Sequence, residues 1–208
     1  MLELFAHLDQ HLLTLIHQYG FWSYAILAAI IFGETGLVIL PMLPGDSLLF
    51  VAGAAAASGA LRLDSLVAVL TVAAILGNLS NFQIGRWLGP ALFRRPRSRL
   101  LNPAHLQATH AFYERHGGKT VILARFLPII RTYAPFAAGL GAMGGRRFAL
   151  YSVLGGVLWV SAFVTAGYLF GDIPFIKGNL SLLSLGIVVV TLVPTVIGLL
   201  RSQRRARA

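Results

Sequence analysis

The sequence predicts an all-α integral membrane protein: two inverted repeats, each with an amphipathic helix, a re-entrant broken-helix hairpin and a transmembrane helix, plus a C-terminal transmembrane helix. Three observations lead there. Of 208 residues, 57% are hydrophobic and only 12% charged, about half the charged fraction of an ordinary soluble domain. The arginines collect at the ends of long apolar runs, where lipid headgroups and the positive-inside rule place them. One order of elements also occurs twice, and paired interrupted segments at corresponding positions point to an inverted-repeat architecture. Repeat one is read as residues 1–89, repeat two as 103–171 and the extra helix as 180–200. These form a single membrane domain over 1–200, followed by a basic tail, 201–208.

Composition also excludes. A net charge of +10 does not mark a nucleic-acid binder here, because the basic residues flank apolar runs instead of lining a soluble surface. With no cysteine there is no disulfide framework, thiolate metal site or thiol nucleophile. No lysine or arginine precedes Arg62, so the positive start of a cleavable signal peptide is missing.

In order, Leu2 to His17 spaces Leu4, Leu8, Leu12, Leu15 and Ile16 as an amphipathic helix lying at the interface. His7 and His11 are read as polar-face residues, and no metal site is expected. Phe21 to Leu40 is long enough to cross a bilayer, yet it carries Glu34 between glycines and runs into Pro41, Pro44 and Gly45 before apolar character resumes at Ser47. A straight helix would leave Asp46 about 18 Å beyond Glu34. A hairpin through Pro41 to Gly45 would bring the two carboxylates to one depth. Such broken backbone is tolerated within the membrane only where protein or a water-filled cavity surrounds it.

Leu63 to Gly89 is a clear span with a polar stripe at Asn78, Ser80, Asn81 and Gln83. A basic loop follows (Arg94, Arg95, Arg97, Arg99), then a second amphipathic helix from Pro103 to His116. Lys119 to Gly139 is interrupted by Pro128 and Pro135 and reads as the second hairpin. Phe148 to Phe170 and Leu180 to Leu200 are spans. Placing the arginine clusters in the cytoplasm puts the C-terminus there too, and makes the first hairpin enter from outside and the second from inside. Inverted repeats require that opposed entry, and Asp46 to Gly53 lines up loosely with Arg131 to Gly139.

Four charges stand inside these broken segments: Glu34, Asp46, Arg125 and Arg131. Each costs about 2.5–3.5 kcal/mol at a helix centre unless paired or hydrated. Two ion pairs locking the hairpins together would suffice as an explanation, and Asp46 also suits a helix N-cap. The residue types suggest more. Arginine binds phosphate bidentately and stays charged when buried, so Arg125 and Arg131 are candidates to clamp an anionic headgroup, with Glu34 and Asp46 taking up and releasing protons. The arginines are six apart, about 240° around an unbroken helix, and Pro128 between them can undo that separation. Pro41, Pro44, Gly45, Pro128, Pro135 and Gly139 are expected to shape the hairpins. Asn78, Arg86, Thr132 and Tyr133 are candidates to line a cavity. No nucleophile with a nearby base is evident, since no histidine lies in the broken elements. A transporter is therefore expected rather than a lipid phosphatase, with no cofactor.

The chain resembles the bacterial DedA family, of the superfamily that shares a SNARE-associated or VTT domain with eukaryotic lipid scramblases. The resemblance is carried by Glu34 with Pro41-Met-Leu-Pro-Gly-Asp46, Gly77 with Ile84-Gly-Arg86, Arg125-Phe-Leu-Pro-Ile-Ile-Arg-Thr132 with Pro135 and Ala138-Gly139, and Gly156 and Trp159 before Gly167-Tyr-Leu-Phe-Gly171. It implies opposed re-entrant hairpins, a multi-pass location in the bacterial inner membrane and dependence on the proton motive force. It also implies that Glu34, Asp46, Arg125 and Arg131 are needed for function. The implied activity is recycling of undecaprenyl phosphate, with phospholipid transfer, export of small cations or drugs in exchange for protons, and a structural assembly role as alternatives. The implied partners are a membrane lipid and protons, and a homo-oligomer is left open. Asn78 and Phe82 depart from an acid and a tyrosine found in many members.

Overall fold

The computed structural model describes residues 20–37, 45–93, 118–126, 128–141, 143–171 and 173. Among them lie six helices, α1 Trp22–Gly36, α2 Gly45–Ala57, α3 Leu63–Phe93, α4 Lys119–Ala124, α5 Pro128–Leu140 and α6 Gly145–Phe170, and no strand. The predicted amphipathic helices, the Arg94 to Arg99 loop, Pro41, Pro44, the Leu180 to Leu200 span and the tail lie outside the described residues.

Helix ends follow local chemistry. After Gly36 the chain turns extended at Leu37 (φ −99°, ψ 117°). Helix α2 closes through Gly59, whose φ of +80° suits a residue without a Cβ; the amides of Gly59 and Ala60 donate back to the carbonyls of Ala56 and Ala55. At Arg125 and Phe126 the amides reach only three residues back, to Ile122 and Leu123, tightening the end of α4. Pro128 then opens α5, the position where a missing N–H costs nothing.

Two details differ from the sequence reading. Pro135 sits inside α5 and does not end it, because a single proline forfeits one backbone bond that packing can offset. Helix α6 starts at Gly145, so Arg146 and Arg147 belong to its first turn. They are exposed.

Leu63–Gly89 and Gly145–Phe170, 27 and 26 residues long, are long and apolar enough to cross a membrane. Their outward faces expose Val72, Leu76, Leu150, Leu154, Leu158 and Leu169. The inward faces build a core of Leu66, Leu70, Ala74, Trp159, Val160 and Val164 with Leu27 and Ile31 of α1 and Leu48, Leu49 and Val51 of α2. A smaller cluster stacks Phe82 on Phe148, with ring centroids 4.3 Å apart. Phe82 thus fills the core.

The short helices are shared out between the two long ones. Helices α1 and α5 pack on α3, while α2 and α4 pack on α6. Two of these crossings are built alike. A methyl group at Gly53 in α2 would strike the Val164 carbonyl and the Tyr168 amide of α6, and one at Gly167 would strike the Phe50 carbonyl. In the other crossing, a methyl at Gly139 in α5 would strike the Phe82 carbonyl and the Arg86 amide of α3, and one at Gly85 the Phe136 carbonyl. Each residue of the first set maps onto the second at a constant offset, 86 along the short helices and 82 along the long ones. Gly139 therefore serves a helix crossing rather than a turn.

Candidate functional site

Glu34 lies in the last turn of α1, Asp46 in the first turn of α2 and Arg131 in the first turn of α5. The three side chains meet. Arg131 Nη1 donates to Asp46 Oδ1 at 2.7 Å, and Arg131 Nη2 pairs with Glu34 Oε1. The Trp159 indole, from α6, donates to the same Asp46 Oδ1 at 2.8 Å, and its ring lies 5.0 Å beneath the Arg131 guanidinium, within cation–π range. Glu34 Oε1 also accepts from the Gly45 amide at 3.2 Å, so both carboxylates sit at the positive end of α2. A Cβ at Gly45 would overlap the Glu34 carboxylate. All four side chains are buried, Glu34 and Trp159 to within 1% of their surface.

The expected arrangement of two acids against two arginines is thus resolved unevenly. Arg131 holds both carboxylates and Asp46 spends its oxygen on Arg131 and Trp159. Arg125 has no carboxylate partner among the described residues. Its Nη2 reaches only neutral oxygens, Ser152 O and Oγ at 3.3 Å and Ala74 O at 3.4 Å, and its Nε has no partner. Only 3% of Arg125 is exposed. Gly155 and Gly156 make room for it: a Cβ at Gly155 would stand 3.1 Å from the Arg125 Cδ. Ala74 and Gly156 lie near the middle of their long helices, so a guanidinium with no counter-ion among the described residues rests at mid-span. That is an anion-attracting position, since an isolated buried charge is costly until it is paired.

Beside the Arg131 cluster, Asn81 of α3 donates from Nδ2 to the carbonyls of Thr35, at 3.1 Å, and Thr132, at 2.9 Å, tying α1 and α5 to one span. Thr132 Oγ1, Asn81 Oδ1 and Glu34 Oε2 are buried with no partner. Asn78 is buried as well, whereas Arg86 is exposed and Tyr133 is 49% exposed; neither of the latter two lines the buried cluster. Trp159, Asn81 and Ser152 take part without having been singled out as site residues. A signal existed for Trp159: it stands mid-span, not at the interfacial end where tryptophan usually anchors a helix. No group of three metal-ligating side chains occurs among the described residues.

Residues 43–169 match the VTT domain, and the chain is 51% identical over 208 residues to protein DedA of Escherichia coli K12, covering 99% of this chain and 95% of that one. The chain belongs to the DedA family. Other DedA-family relatives include an uncharacterized membrane protein of Mycobacterium leprae, 43% identical over 181 residues (86% of this chain, 81% of that one). The inner membrane protein YqjA of Escherichia coli K12 is 38% identical over 164 residues (77% and 74%). No solved structure matches. This DedA-family chain is accordingly a membrane protein. Its VTT match takes in Asp46, Arg125, Arg131 and Trp159 but begins after Glu34, so the second carboxylate of the Arg131 cluster comes from outside the matched domain.

Proposed function

We propose that this protein is a transporter that moves an anionic membrane lipid, a polyprenyl phosphate such as undecaprenyl phosphate, across the bacterial inner membrane at the expense of the proton motive force. The observation that carries the reading is Arg125, buried at mid-span with neutral oxygens around it and no carboxylate partner among the described residues. Helix α5 adds the positive end of its dipole just after Arg125, with no acid in its first turn. Broken helices that aim such ends at an anionic substrate are a recurring device of secondary transporters. Arg131 is held by Glu34 and Asp46 in this state and becomes available to the phosphate when those acids are protonated.

The reading includes the architecture. Helices α1 and α2 form one re-entrant hairpin and α4 and α5 the other, related by inversion. The paired glycine crossings at constant offset support that relation, as does the way the first arm of each hairpin packs on its own span and the second on the other. Exposed Arg146 and Arg147 face the cytoplasm, as does the basic tail, in a multi-pass arrangement. A phospholipid also presents a phosphate, as a diester, and is the second candidate. Purified protein in vesicles, given a fluorescent polyprenyl phosphate in both leaflets, should speed its loss from the accessible leaflet and leave a phosphatidyl analogue slower. Rates equal to protein-free vesicles would end the transport reading.

A further inference from the structure

We infer that the buried charges form a balanced set in which lipid phosphate and protons travel together, one proton for each unit of phosphate charge, so that the cycle carries no net charge. This rests on the transport reading above and adds its coupling rule. Four described charges are buried: Glu34 from α1, Asp46 from α2, Arg125 from α4 and Arg131 from α5. Arg125 follows the last residue of α4, and Arg131 lies in the first turn of α5, the next helix. The groups that α3 and α6 turn toward them, Asn81, Ser152 and Trp159, are neutral. Every other described charge is exposed, namely Arg62, Asp64, Arg86, Lys119, Arg146 and Arg147.

With both acids ionised the set sums to zero, so the empty protein is neutral at its centre. A phosphate carrying one negative charge, seated at Arg125, leaves an excess of one. Water cannot compensate for that excess in a closed, apolar interior, but a proton on a carboxylate can. Glu34 Oε2, buried and without a partner, is the oxygen open to the first proton, and Asp46 is the only other described buried acid. A phosphodiester, fixed at one negative charge, therefore enters with one proton. A phosphate monoester that has lost its second proton enters with two. Because both the loaded and the empty states are neutral, the membrane potential does no work on either, and the pH gradient alone supplies the drive.

The full-length protein in phosphatidylcholine vesicles with an entrapped pH dye, and with valinomycin and potassium setting the potential, tests this directly. Farnesyl phosphate serves as the monoester and a short-chain phosphatidylglycerol as the diester. The expected result is one proton per phosphatidylglycerol and a ratio for farnesyl phosphate that climbs from one toward two as the pH is raised, with rates that do not change with potential. In Glu34→Gln the ratio for phosphatidylglycerol should fall to zero and its movement should become sensitive to potential. Lipid movement in the native protein with no proton uptake, or with a ratio indifferent to phosphate charge, overturns the coupling rule and leaves the transport reading standing. If neither lipid moves, it is the transport reading that fails.

Discussion

At the scale of single residues the two arginines do opposite things with the same chemistry. Arg131 is satisfied by two carboxylates and an indole face; removing it leaves two buried negative charges side by side. Arg131→Ala should therefore destabilise the protein by about 3–5 kcal/mol, read as a drop in the thermal unfolding midpoint in detergent. Protein that unfolds at the native temperature would contradict the ion cluster. All four charges were legible in the sequence because acids and arginines are conspicuous in apolar runs. Their partnership was not, since which side chains meet depends on how α1, α2 and α5 converge, and no spacing rule carries that. Trp159 escaped for a related reason: a tryptophan in an apolar helix looks like packing until its indole N–H is seen on Asp46.

At the scale of elements, the fold depends on backbones that touch. The crossings of α2 with α6 and of α5 with α3 leave no room for a Cβ at Gly53 or Gly139, and small residues are what allow helices to approach so closely in a membrane. Gly53→Ala and Gly139→Ala should each cost about 1–3 kcal/mol, with similar losses because the two sites have the same surroundings. A loss at one and none at the other, in the same unfolding measurement, would argue against equivalent crossings. The breaks themselves were readable: Gly36, Gly45 and Pro128 all sit at helix ends, where the lack of a Cβ or of an N–H is useful. Pro135 was misread for the converse reason. Proline lowers helix stability without forbidding it, and the packing of α5 along α3 offsets the lost bond.

At the scale of the whole molecule, two long apolar helices carry four short ones among the described residues, and the buried charges lie where the short helices begin or end. The apolar runs announced the membrane, and the α3 and α6 spans fall close to the positions read from the sequence. The exchange of short helices between the two spans was not foreseeable, because reciprocal glycine contacts are a property of three-dimensional offset and not of local composition. What the assembly implies for function turns on Arg125, a buried charge with no counter-ion among the described residues, whose desolvation offsets its hydrogen bonds to neutral oxygens. Replacing it by methionine, similar in length and uncharged, should leave the unfolding midpoint unchanged or raised, yet remove the phosphate site. The most direct measurement is the rate at which farnesyl phosphate leaves one leaflet of vesicles containing Arg125→Met, compared with the native protein at equal folded content. A fall of about 100-fold or more is expected from losing charge-assisted bonds to the phosphate; transport by Arg125→Met at the native rate would contradict the account.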